Sequence, residues 1–367
     1  MAAFNPTARA GESISEGLVV TQVSNLHEIL AVRAEVEPGS AQVVLGGIGS
    51  GKTTQLLLAQ QHLAAEGPHS FFAEVSRFTD LNKAGPGTLA AIVSDQLIET
   101  SARLLPNNTL SQLREFAHGQ WIEPEPPDIG TDDFVFIPGR LKPPLPPMAR
   151  EVAAFLPHLE SAFKTLELED SVFLFDGLDR IAEPDAFWRL VESDLRLFKQ
   201  LKISVVIVAP WSLAFRSDEK LSETFDRVHE IRMYASSQRD EILKGILSTR
   251  DSARLINEES IDSLTSYSGG IIRDLITLAR DAGEAAYRDG VASIELHHVK
   301  SAATNLGRSY AMGLDPSQIR RLRQIGQSTS DFSPSEPQDL FLLLTRRVLH
   351  KSPGVFQVHP TLYPLPR

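Results

Sequence analysis

"AQVVLGGIGSGKTTQLLLAQQHLAAEG" (residues 41–67) decides the fold. A short apolar run, AQVVL, enters a glycine-rich turn, and a helix-favouring segment follows it. The turn, GGIGSGKTT (46–54), fits G-x-x-x-x-G-K-[ST] at Gly46, Gly51, Lys52 and Thr53. Glycines, here also Gly47 and Gly49, let successive backbone N–H groups turn inward around phosphates without a Cβ in the way. Ser50 and Thr54 complete the loop, and the N-terminus of the next helix adds partial positive charge. Lys52 is placed to reach the β- and γ-phosphates, and the Thr53 hydroxyl to ligate Mg²⁺. The stretch predicts a nucleoside-triphosphate site, with ATP and Mg²⁺ as its occupants.

A second stretch, SVFLFDGLDR (171–180), completes that expectation. Four apolar residues lead into Asp176, at the C-terminal end of an expected strand, where an acid holds Mg²⁺ through its water shell. Many nucleotide-hydrolysing enzymes place a glutamate next. Here Gly177 follows, and the second acid comes late, at Asp179. The long interval between the two motifs is compatible with a sheet in which another strand lies between the motif strands.

Five apolar runs read as strands: 41–45, 70–75, 171–176, 203–209 and 227–233. Helix-favouring segments separate most of them, which predicts an α/β fold with a largely parallel five-stranded sheet. Between the second and third strands lie an expected helix and a proline-rich stretch, 121–148. Prolines at that density exclude helix or central strand, leaving a surface insertion that is either a structural loop or lid or a partner-binding tail. After residue 233 the pattern turns helical. The expected organisation is an N-terminal segment (1–40), an α/β domain (41–233), a helical lid (234–314) and a C-terminal module (315–367).

The chain has 367 residues, a net charge of −11 and no cysteine, so disulfides and thiolate metal sites are excluded. His297–His298 is the only histidine pair, and adjacent positions diverge, so both read as surface residues. The N-terminus lacks the apolar core of a secretion signal and no run approaches 18 apolar residues, so a cytoplasmic location and no membrane span are expected. The negative charge argues against a chain-wide nucleic-acid footprint. A local basic group (Arg320, Arg321, Arg323, Arg346, Arg347 and Lys351) leaves two readings open, phosphate contacts or a solvated and docked face.

In SGGIIRDLITLARDA (268–282), Arg273 falls in the first turn of a helix, where a cation opposes the helix dipole and needs another reason to be present. With GGIGSGKTT, FLFDGLDR, FDRVHEIRM, QRDEILKGIL, GGIIRDLITLARDAGEAA and HHVKSAA, this segment resembles, over about residues 20–310, the AAA+ ATPases of the origin-recognition and initiator group and the related STAND NTPases. The resemblance implies a P-loop sheet followed by a helical lid, with Arg273 as the lid residue that contacts the nucleotide. DGLD is similar to the NACHT-type pattern, which makes Asp179 the acid that orients or deprotonates the attacking water. Arg180 departs from that pattern, which usually carries another acid there. Arg227 or Arg216 is the candidate arginine supplied to a neighbour's site, and Ser212 the candidate polar contact near the γ-phosphate. The C-terminal module would be winged-helix-like or a docking tail.

The resemblance therefore implies a Mg²⁺-dependent ATPase acting as an oligomeric switch or machine on DNA or a partner protein, in a bacterial defence, transposition or replication-related system. The competing reading is a nucleotide-binding scaffold with little hydrolysis. A small-molecule kinase is disfavoured by the lid and the C-terminal module.

Overall fold

A computed structural model describes residues 4, 10–19, 25–118, 155–181, 183–215, 219–231, 237–328, 332–352 and 354–363. The proline-rich stretch 121–148 and Arg216 lie outside them. In chain order the elements of the first half are α1 (Ala10–Ser15), α2 (Leu26–Val36), β1 (Ala41–Gly46), α3 (Lys52–Glu66), β2 (Ser70–Glu74), α4 (Thr88–Ser101), α5 (Asn107–His118), α6 (Leu156–Leu166), β3 (Val172–Asp176), α7 (Pro184–Gln200), β4 (Ser204–Val208), α8 (Lys220–Thr224) and β5 (Arg227–Ile231). The strands form one parallel sheet in the order β2-β3-β4-β1-β5. β4 therefore separates the two motif strands.

Alternation along the strands divides the apolar residues between two faces. Val44, Val172, Leu174, Val206 and Val208 meet α2 and α3 through Leu30, Leu56 and Leu63. Val43, Leu45, Phe173, Phe175 and Ile207 meet α4 to α7 through Leu97, Phe163, Phe187 and Phe198. Burial on both faces explains why β1, β3 and β4 read as unbroken apolar runs. β5, an edge strand, is more exposed.

One acid lies inside this core. Asp194 of α7 is fully buried and accepts the Gly87 and Leu89 N–H groups at 2.8 and 2.9 Å, where α4 begins. It satisfies donors that the first turn of a helix leaves without intrahelical partners.

The lid consists of α9 (Ser237–Arg250), α10 (Glu258–Tyr267), α11 (Ile272–Arg288) and α12 (Leu296–Ala311), packed around their own apolar cluster, which also takes Phe4. The histidine pair corrects the surface reading. His298 is buried, and its Nδ1 accepts the Glu295 N–H at 3.0 Å as part of a capping box. Its Nε2 lies 3.2 Å from Asp289. Only His297 is exposed, at 63%. With Nδ1 accepting a backbone N–H, the neutral His298 ring carries its proton on Nε2, toward Asp289, so that nitrogen is a donor and not a metal ligand.

The C-terminal residues form α13 (Pro316–Gln327), α14 (Pro337–Leu344) and an antiparallel hairpin of β6 (Val348–Ser352) and β7 (Val355–Val358). Leu322, Leu342, Val348 and Phe356 belong to the same buried cluster as the α/β domain. The 3-10 turn Pro360–Leu362, which follows the hairpin, also presses on the lid. A Cβ at Gly307 of α12 would lie 2.0 Å from the Thr361 carbonyl oxygen. Gly307→Ala should therefore lower stability by about 1–3 kcal/mol, the usual cost of overpacking, read as a lower denaturation midpoint. An unchanged midpoint would show that the tail is free to leave α12. No helix among the described residues is long and apolar enough to cross a membrane.

Candidate nucleotide site

The loop 46–51 leaves the C-terminal end of β1 and closes at the first residue of α3. Gly49 and Gly51 hold φ of 81° and 97°, which disfavour a side chain at either position. Lys52 is buried, and its Nζ donates to the carbonyls of Gly46 and Gly47 at 2.8 and 3.0 Å. The same Nζ lies 2.9 Å from Asp179 Oδ2. Thr53 Oγ1 donates to Asp176 Oδ2 at 2.7 Å. Burial pushes the Asp176 carboxyl above its ordinary value, and the Thr53 bond opposes that rise.

The donor set fits the two expected occupants. Ser50 Oγ is buried inside the loop with no hydrogen-bond partner, an orphaned polar atom that a bound phosphate would satisfy. Thr53 and Asp176 bring hydroxyl and carboxylate oxygens together, the hard donors that Mg²⁺ takes. Thr54 follows, half-buried in the first turn of α3.

Arg273 is the second residue of α11, exposed, with the start of its helix resting on the loop. A Cβ on Gly49 would lie 3.2 Å from both Arg273 Cβ and Ile271 Cγ2. The lid thus touches the phosphate loop at the residue singled out by sequence. Two side chains that fix this corner lie in segments quoted for the resemblance, but nothing in the sequence singled them out. Arg239 of α9 is buried and donates from Nε and Nη2 to the Gly270 carbonyl, at 3.1 and 2.6 Å. Asp274, also buried, takes Tyr310 Oη at 2.6 Å and Arg346 Nη1 at 2.7 Å, with His359 Nε2 at 3.3 Å. The residue beside Arg273 is therefore clamped by α12 and by Arg346 and His359, which flank the C-terminal hairpin.

The turn after β3 carries Asp179 to Lys52 and points Arg180 elsewhere. Arg180 Nη1 donates to Ser76 Oγ at 3.2 Å, and Nη2 lies 3.4 Å from Glu74 Oε1. Glu74 ends β2 in register with Asp176. In the sequence it was only an acid near the end of the apolar run 70–75.

Other candidates lie apart from the loop. Arg227 opens β5, exposed and paired with Gln42, whereas the loop end of β1 pairs Gly46 with Ile231. It sits at the opposite end of the strand from its own phosphate loop. Ser212 is buried in the short 3-10 turn 211–215 after β4. The C-terminal cations do not form one outward basic face. Arg321 pairs with Asp339 through two bonds of 2.8 and 2.6 Å, Arg346 with Asp274, and Arg347 donates to the Tyr310 and Met312 carbonyls. These three arginines hold the module together and dock it. Burial lowers the ammonium pKa of Lys351.

No protein-family model matches the chain, and no curated protein matches its sequence. Solved structures do resemble it. The ORC2 protein of Aeropyrum pernix, in ADPNP and ADP complexes, is 14% identical over 98% of this chain and 93% of that one, with a TM-score of 0.50. Cdc6p from Pyrobaculum aerophilum is 15% identical over 89% and 76%, with a TM-score of 0.49. The RuvB Holliday junction branch migration motor of Thermotoga maritima is 16% identical over 96% and 93%, with a TM-score of 0.45. The strand order, the phosphate loop and the likeness to ORC2 give this chain the P-loop fold of AAA+ ATPases.

Proposed function

We propose that this chain binds ATP with Mg²⁺ and hydrolyses it to ADP and phosphate, as a switch whose state is read through its lid. The observation that carries the reading is the convergence of Lys52, Thr53, Asp176 and Asp179, drawn from two motifs far apart in sequence, on one end of the sheet. Backbone N–H groups of Gly46, Gly47, Gly49, Ser50 and Gly51 would cradle the phosphates, with Lys52 neutralising their charge. Thr53 and Asp176 would hold Mg²⁺, which supplies charge neutralisation across the β- and γ-phosphates. Asp179 would orient the attacking water beside Lys52.

Arg273, resting on Gly49, would contact the γ-phosphate from the lid, and Asp274 would pass the resulting lid position to the C-terminal module through Arg346 and His359, which flank its hairpin. Arg227, exposed at the far end of β5, suits delivery to the site of a second copy in a homo-oligomer. DNA or a protein is the partner class this reading expects. Because three C-terminal arginines are turned inward, its contact surface is not assigned to the basic group as a whole.

Phosphate release from Mg²⁺-ATP, with and without duplex DNA, tests the reading. We expect turnover by the wild type and a loss of at least about 100-fold in Asp176→Asn, which removes the metal-side charge but keeps the shape. ATP binding with no turnover under any condition, in the assembled state included, would support the scaffold reading instead.

A further inference from the structure

Gly177 follows Asp176 with φ of 89°, a conformation that a glutamate would occupy only with strain. A Cβ there would lie 3.7 Å from Ser76 Oγ and 3.8 Å from Glu74 Cγ. The place beside the metal-side aspartate is thus bordered by an acid from the neighbouring strand. Glu74 stands opposite Asp176 in the parallel register, and residues paired in this way project to the same face. That face carries α3, since Asp176 accepts from Thr53.

Two arginines restrain the Glu74 carboxylate. Arg77 Nε lies 2.7 Å from Oε2, and Arg180 Nη2 lies 3.4 Å from Oε1. Both arginines are more than half exposed, at 56% and 62%, so water screens these pairs. Asp179 differs, because its carboxylate faces the buried Lys52.

We propose that Glu74 is a further catalytic carboxylate of this site, accepting the proton of the attacking water, with Arg180 as its positioning residue. The proposal rests on the ATPase reading above. The water oxygen forms a bond to the γ-phosphorus, and the bond from that phosphorus to the β,γ-bridging oxygen breaks. Its electron pair leaves with ADP, and the water's proton passes to Glu74. Asp179 orients the water and Glu74 takes the proton, a division of labour in which Gly177 leaves room for an acid from β2. Arg180 is then the partner of that acid, which accounts for a cation where the NACHT-type pattern carries an acid.

Phosphate-release kinetics, ATP affinity by fluorescent-analogue titration and the pH profile are compared for the wild type, Glu74→Gln, Arg180→Ala and Arg180→Lys. Glu74→Gln is isosteric. We expect its kcat to fall at least about 100-fold, the range of a lost general base. Its affinity should stay within about threefold of wild type, and the acidic limb of its kcat profile should flatten. Arg180→Ala should lower kcat about tenfold at unchanged affinity, with partial rescue by lysine. A Glu74→Gln kcat within about threefold of an active wild type, or a parallel loss of ATP binding, overturns the proposal. Arg180→Ala at the wild-type rate overturns the positioning role. A wild type that binds ATP but never turns over overturns the ATPase reading, and this inference with it.

Discussion

Lys52→Ala should abolish ATP binding at micromolar concentrations and bring phosphate release to background, while the protein still folds. Lys52 is buried where β1 meets α3, and its ammonium already bonds the Gly46 and Gly47 carbonyls and Asp179. A charge-assisted bond to phosphate is worth about 1.5–3 kcal/mol, so its loss alone costs roughly 10- to 100-fold in affinity. The variant also leaves Asp179 without its cation, facing an incoming polyphosphate, which adds like-charge repulsion to the deficit. Turnover should fall further than binding, because charge on the γ-phosphate is redistributed in the transition state. Far-UV dichroism checks that the fold survives and nucleotide titration checks the affinity. Retained micromolar binding would place the nucleotide somewhere other than this loop.

The second large effect is on stability. Asp194→Ala should cost about 2–4 kcal/mol, because it leaves the Gly87 and Leu89 N–H groups buried without acceptors at the start of α4. Burial pushes the Asp194 carboxyl up to about 7, and the N–H bonds from Leu89, Gly87 and Ala90 oppose that rise. The folded-state value therefore lies above the ordinary 3.8, so the native state holds an extra proton between those two values. The stabilisation tied to that proton is complete below about pH 4 and is lost as pH rises through about 7. The stability gap between wild type and Asp194→Ala, from denaturant midpoints, should accordingly narrow between pH 5 and pH 8. A gap that widens over that range would reverse the sign and contradict a buried neutral carboxyl.

Both effects concern side chains that differ in how far sequence reveals them. Lys52 and Asp176 were legible because the phosphate loop has fixed spacing, and because a continuous apolar run marks a strand buried on both faces. The strands and their parallel arrangement followed from the same runs. Asp194 was hidden, since an acid on a long helix normally faces solvent, and its partners are 105 and 107 residues away. Glu74 became a neighbour of Asp176 only through the register of β2 on β3, which no local pattern encodes. Arg239 and the Asp274 cluster were invisible for the same reason, as Arg346 lies 72 residues from Asp274.

The basic C-terminal group shows where sequence leaves a choice open. Of its two readings, phosphate contacts or a solvated and docked face, the structure gives the docked one to Arg321, Arg346 and Arg347, which are spent on Asp339, Asp274 and backbone carbonyls. Composition counts charges without knowing which have internal partners. His298 was misread, because a capping box with histidine in the role usually played by glutamate or glutamine is not a pattern that sequence spacing flags.

A crystal structure of the protein with Mg²⁺ and a non-hydrolysable ATP analogue would decide whether this loop holds the nucleotide. We expect phosphates inside the loop 46–54, Lys52 Nζ transferred from Asp179 to a phosphate oxygen, a cation beside Thr53 and Asp176, and Arg273 turned toward the γ-phosphate. A loop left empty at saturating analogue, with the Lys52–Asp179 pair intact, would contradict that expectation.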